Sequence, residues 1–76
     1  MIERGDLEIG TNLYAIQKCV MHSTREEALT IGKAYPIIGF EPENPYAKEA
    51  IIIIDDQEDE HLFDIYDLHE FFTLTK

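Results

Sequence analysis

The sequence predicts a mostly β domain, a small barrel of five short strands. Three observations carry that expectation. The run IIIIDDQEDEHLF (residues 51–63) sets four β-branched residues before an acidic turn and a second apolar run, the pattern of a hairpin. The other apolar runs are short, and Gly32, Pro36 and Gly39 punctuate the one at 34–41. The best helix candidate, HSTREEALTIGK (22–33), has too short an apolar stripe to bury a face.

Residues 1–12 hold Gly5 and Gly10 among charges, with little periodicity, and read as a loosely held arm ahead of a single domain, residues 13–76. LYAIQKCVM (13–21) is the first strand, although neither of its faces is cleanly polar. Over 22–33 a short helix capped by Ser23 or Thr24 competes with a long hairpin loop, and the loop is preferred. AYPIIGFE (34–41) is the second strand. Its Pro36 belongs at an edge or near the strand start, and its Gly39 marks a bulge or bend. PENPYAK (42–48) is a proline-rich loop.

EAIIIID (49–55) and EHLFDI (60–65) form the third and fourth strands around a turn at Asp56–Asp59. His61, Phe63 and Ile65 share one face of the fourth strand, and Leu62 and Asp64 point the other way. YDLHEFF (66–72) fits a single 3₁₀ turn before a short last strand at 72–74. Phe71 and Phe72 cannot both point inward in an extended chain. This order of a long loop, a tight hairpin and a 3₁₀ turn before the fifth strand is that of an SH3-like barrel. Partial closure would hide the sheet edges that five short strands expose.

The composition narrows the function. Lys and Arg number 6 against 16 Asp and Glu, a net charge of −10. Such a chain repels phosphate backbones and anionic lipid, so neither direct nucleic-acid binding nor membrane binding is expected. No apolar run approaches the ~20 residues that span a bilayer. Cys19 is the single cysteine. The expectation is a cytoplasmic protein with a reduced thiol.

GKAYPIIGF, IIIIDDQEDEHLF and DLHEFF together resemble a loose group of small SH3-like proteins from bacteriophages and bacterial genomes. The shared pattern is a Gly-Lys-x-Tyr strand, an Asp-Asp hairpin followed by Glu-His-x-Phe, and an acidic-aromatic ending. It covers residues 14 to 74. The resemblance implies the fold and a phage or prophage origin, and most of the group has no assigned activity. The chain differs from SH3 domains that bind PxxP peptides, which use a tryptophan and an aromatic groove. It has no Trp, and LYAI (13–16) matches their first aromatic motif only faintly.

Residues 49–75 hold nine acids and no Lys or Arg. Asp55, Asp56, Glu58, Asp59, Glu60, Asp64, Asp67 and Glu70 are the candidate partner-binding residues. As a one-sign patch they would speed encounter with a basic protein partner. A sharper form is mimicry of a nucleic-acid backbone, a device the phage resemblance makes relevant. The competing form is a structural accessory or homo-oligomer in which charge serves solubility. Tyr46, in the proline-rich loop, is a candidate interface anchor, with packing under its own loop as the alternative.

No cofactor or metal is expected. The acidic run lacks the glycine and spacing of a calcium loop, and no Cys/His spacing suits zinc. Cys19 with His22, His61 or His69 is the only conceivable nucleophile pair, and a strand cysteine is more often inert core, so the chain reads as a non-enzyme.

Overall fold

Four consecutive isoleucines form the middle of the molecule. The computed structural model describes residues 2–18 and 27–75. Ala50–Ile54 (β4) is the central strand of a three-stranded antiparallel sheet, between Gly39–Glu41 (β3) and Glu60–Asp64 (β5). A second three-stranded sheet has Asn12–Ala15 (β1) between Ala34–Pro36 (β2) and Phe72–Thr73 (β6). The mostly β expectation holds.

The expected second strand is two strands, because residues 34–41 change sheets midway. Ile37 N donates to Thr11 O beside the first sheet at 2.9 Å, and Ile38 N donates to Ile52 O of β4 at 2.9 Å. Adjacent amides therefore serve opposite sheets. Pro36, with no N–H to give, ends β2 on a sheet edge opposite Asn12. Among the described residues the two sheets share no ladder, so the closed barrel gives way to two sheets joined through this crossing.

Leu13 and Ala15 of β1, Tyr35, Ile51 and Ile53, Phe63 and Phe72 point between the sheets and are buried. Each such large apolar side chain contributes about 1.5–3 kcal/mol by leaving water. The Phe63 ring meets the Phe72 edge at 5.1 Å and Phe71 at 5.4 Å, so Phe71 is half-buried and Phe72 fully inside.

β1 is shorter than expected. Ile16 N donates to Phe71 O at 2.8 Å and the chain bends at Gln17; residues 19–21 of the expected strand lie outside the described ones, as do residues 22–26 of the 22–33 loop-or-helix segment. Residues 28–33 carry no helix, and Gly32 takes a φ of +86° in the turn that leads into β2. The segment expected to be a loose N-terminal arm is anchored. Leu7 joins the core, Arg4–Asp6 forms a 3₁₀ turn, and Arg4 Nε pairs with Glu49 at 3.0 Å while its guanidinium stacks on Phe40.

After β5, Asp64 accepts a hydrogen bond from Tyr66 N at 2.9 Å and starts a 3₁₀ turn at Ile65–Asp67. The turn continues as one α-turn, Leu68–Phe71 (α1), and Leu68 seals the core from it.

Candidate interaction surface

Asp55 belongs to the fold. Its side chain is buried, the whole residue being 5% exposed. One carboxylate oxygen accepts from Gln57 N at 2.9 Å and Asp59 N at 3.1 Å. The other lies 3.1 Å from His61 Nδ1. Burial of a carboxylate demands such partners, and here they close the hairpin. The His61 ring stacks on Phe63 with centroids 4.4 Å apart. Asp55 is therefore withdrawn from the expected partner surface.

Asp56 is tied up as well. It accepts from Tyr35 Oη and Lys33 Nζ, each at 2.8 Å, and from Thr30 Oγ1 at 2.6 Å. Tyr35 Oη itself accepts from Thr30 N at 2.7 Å. The cluster clamps residues 30–35 to the tip of the β4–β5 hairpin. Burial works to raise the Asp56 pKa, but the bonds from Lys33, Thr30 and Tyr35 outweigh it and hold the carboxyl below its usual value. Burial pushes the Tyr35 phenol up, and the Asp56 hydrogen bond raises Lys33.

The outward-facing residues form a different surface. Registers across the β3-β4-β5 sheet set Gly39 beside Ile52 beside Leu62, and Glu41 beside Ala50 beside Asp64, with Ile54 opposite Glu60. These are the outer positions, because Ile51, Ile53 and Phe63 are inside. Gly39 gives a flat floor, since a Cβ there would sit 3.6 Å from Ile52 Cδ1. Leu62 and Ile54 stay 49% and 42% exposed. The face is an apolar strip with carboxylates at its ends.

A proline-rich turn walls one end. Asn44 Oδ1 accepts from Tyr46 N at 2.8 Å and Ala47 N at 2.9 Å, and Asn44 N donates to Ala47 O. Pro45 fixes the first central position of this turn. Tyr46 is held out from the tip, 97% exposed, instead of packing under its loop. Between the turn and the sheet lies an open groove of about 640 Å³ that includes Glu41, Glu43, Tyr46, Lys48, Leu62 and Asp64.

Of the expected residues, the structure brings Tyr46 and Asp64 together in this groove, with Glu60 on the adjoining face. Glu58 and Asp59 are exposed at the hairpin tip. Asp67 and Glu70 are exposed on the helical turn and do not line the groove. Sequence reasoning missed Glu41, Glu43, Ile52, Ile54 and Leu62. Alternation had already turned Leu62 outward with Asp64, and carried across the hairpin it would have set Ile52 and Ile54 on the same face.

Arg4, Lys18 and Lys33 each pair with a carboxylate away from this face, and Lys48 leans over the Tyr66 ring at 5.8 Å. Cys19 and His22 lie outside the described residues, and His69 is exposed on α1. Among the described residues no three His, Cys, Asp or Glu side chains are grouped to hold a metal ion, and no helix is long and apolar enough to cross a membrane. Compared with family models, curated proteins and solved structures, the chain matches none of them.

Proposed function

We propose that this chain is a non-enzymatic protein-interaction module whose acidic outer face meets a basic surface on a partner protein. The observation that carries the reading is the grouping of Tyr46, Leu62 and Asp64 in one groove, with Glu41 and Glu43 beside them. An exposed aromatic next to an apolar floor and accessible carboxylates is what a basic, partly apolar partner would use. The finer SH3-like description of the fold belongs to the same proposal. It is supported by the orders β2-β1-β6 and β3-β4-β5, by the sheet change at Ile37–Ile38, and by the helical turn before the last strand. A phage or prophage origin rests on the sequence resemblance alone.

Mimicry of a nucleic-acid backbone, the sharper form, suits this face less well than a basic partner that also makes apolar contact. Ile52, Ile54 and Leu62 interrupt the carboxylates, whereas duplex DNA carries a charge every ~1.7 Å. Self-association through the same face is favoured by the exposure of Ile54 and Leu62 and opposed by the net charge of −10 on each copy.

The test replaces Glu41, Glu43 and Glu60 by Gln and Asp64 by Asn. Wild-type protein should capture a basic protein from a cell extract at about 50 mM salt and release it at about 500 mM. The variant should not capture it. Equal capture by the variant at both salt concentrations would remove the electrostatic reading.

A further inference from the structure

The outer face of the β3-β4-β5 sheet points to a more specific occupant. We infer that it receives one basic amphipathic helix of a partner protein, lying across Ile52, Ile54 and Leu62; this rests on the acidic-module reading above.

Three observations lead there. Ile52 and Leu62 are direct cross-strand neighbours, and Ile54 is two residues further along β4. The apolar footprint is thus about 5 Å by about 7 Å, set by strand spacing and rise. The outer face of an antiparallel sheet is commonly solvated and polar, so apolar side chains grouped on it mark a place for a cover. A helix about 10 Å wide, with an apolar stripe, matches a strip two strands broad.

Charge then selects among occupants. Glu60 and Asp64 lie four residues apart on β5 and bracket the strip, about 13 Å from one another. Glu41 adds to the Asp64 end, in register through Ala50. A helix carrying Lys or Arg about eight residues apart, on either side of its apolar stripe, places one cation at each end. A second copy of this chain would set Glu60 and Asp64 against identical carboxylates, a destabilising arrangement. A nucleic acid would meet the same repulsion and leave the apolar strip unused.

The probe is a synthetic Leu/Ala/Lys helix of about four turns, its leucines on one face and lysines flanking them, against a scrambled isomer of the same composition. Dissociation constants are read by fluorescence anisotropy at about 50 mM salt. The helix should bind wild type at least about tenfold tighter than the isomer does. Leu62→Ser and Ile52→Ser should each abolish that preference while circular dichroism stays that of the wild type. Glu60→Gln, which leaves the apolar strip intact, provides a second variant and should weaken the helix several-fold. Equal binding of helix and isomer, unaffected by Leu62→Ser yet lost at high salt, overturns the helix site and leaves the acidic-module reading standing. No binding of either peptide overturns both. A concentration-dependent dimer that Leu62→Ser abolishes, in the absence of peptide, assigns the face to a second copy and also overturns the inference.

Discussion

Ile52 and Leu62 stand side by side on the outer face of the β4–β5 ladder, while Ile51 and Phe63, each one residue away, stand side by side on the inner face. Two adjacent residue pairs of similar chemistry therefore have opposite roles. Ile51→Ala should cost about 2–5 kcal/mol, because it opens a cavity between the sheets. Leu62→Ser should cost less than about 1 kcal/mol, because half of the side chain is already in water. Urea denaturation of the two variants measures both. Equal losses would mean that the outer strip is core.

Asp55 presents a distinction between shape and charge. Asp55→Ala removes the acceptor for two main-chain amides and the partner of His61, and should cost about 1–3 kcal/mol. Asp55→Asn keeps an oxygen for Gln57 N and Asp59 N and should retain most of that stability. Thermal unfolding compares them. A loss from Asn as large as that from Ala would place the weight on the His61 contact rather than on the turn.

The Asp56 cluster predicts a pH dependence with a definite sign. Asp56 titrates lower in the folded protein than its ordinary 3.8, so its contribution is complete above that value and is lost as pH falls through the lower folded one. Tyr35 and Lys33 are raised from 10.0 and 10.5, so their contributions are lost as pH rises through their higher folded values. Asp56→Asn should flatten the acid limb of a plot of urea midpoint against pH, and weaken the alkaline limb. An unchanged acid limb would show that other carboxylates set it.

Glu58 closes the hairpin with a φ of +63°, a left-handed conformation that costs a residue with a Cβ about 1 kcal/mol. Glu58→Gly removes that cost and should raise the melting temperature by a few degrees, about 4–8 °C per kcal/mol in a domain of this size. A lower melting temperature would mean that the Glu58 side chain makes a compensating contact.

Much of the fold is legible in local chemistry. The IIIIDDQEDEHLF hairpin is set by β-branched residues and an Asp-rich turn, so both strands could be read directly, and the face that carries Phe63 on the second; four isoleucines in a row show no alternation to tell the faces of the first apart. The split of residues 34–41 was signalled by Pro36 and Gly39, but which sheet Ile37 and Ile38 serve depends on partners remote in sequence. The anchoring of Leu7 was hidden for the same reason: one apolar residue among charges has no periodicity. The acidic set was the least legible part. Charge counts treat Asp55 and Asp56 like Glu60, and only the tertiary positions of Thr30, Lys33, Tyr35 and His61 separate carboxylates that build the fold from those that face solvent. For Tyr46 the sequence left exposure and packing under its own loop both open, and the Asn44 turn that holds the ring outward decides between them.

The most direct measurement is a titration of ¹⁵N-labelled protein with a short oligolysine at low salt, followed by amide chemical shifts. The largest shifts should fall on Glu41, Glu43, Tyr46, Glu60, Leu62 and Asp64, and disappear at high salt. Shifts spread evenly over all exposed carboxylates, or centred on Asp67 and Glu70, would contradict a partner surface on the outer face of the β3-β4-β5 sheet.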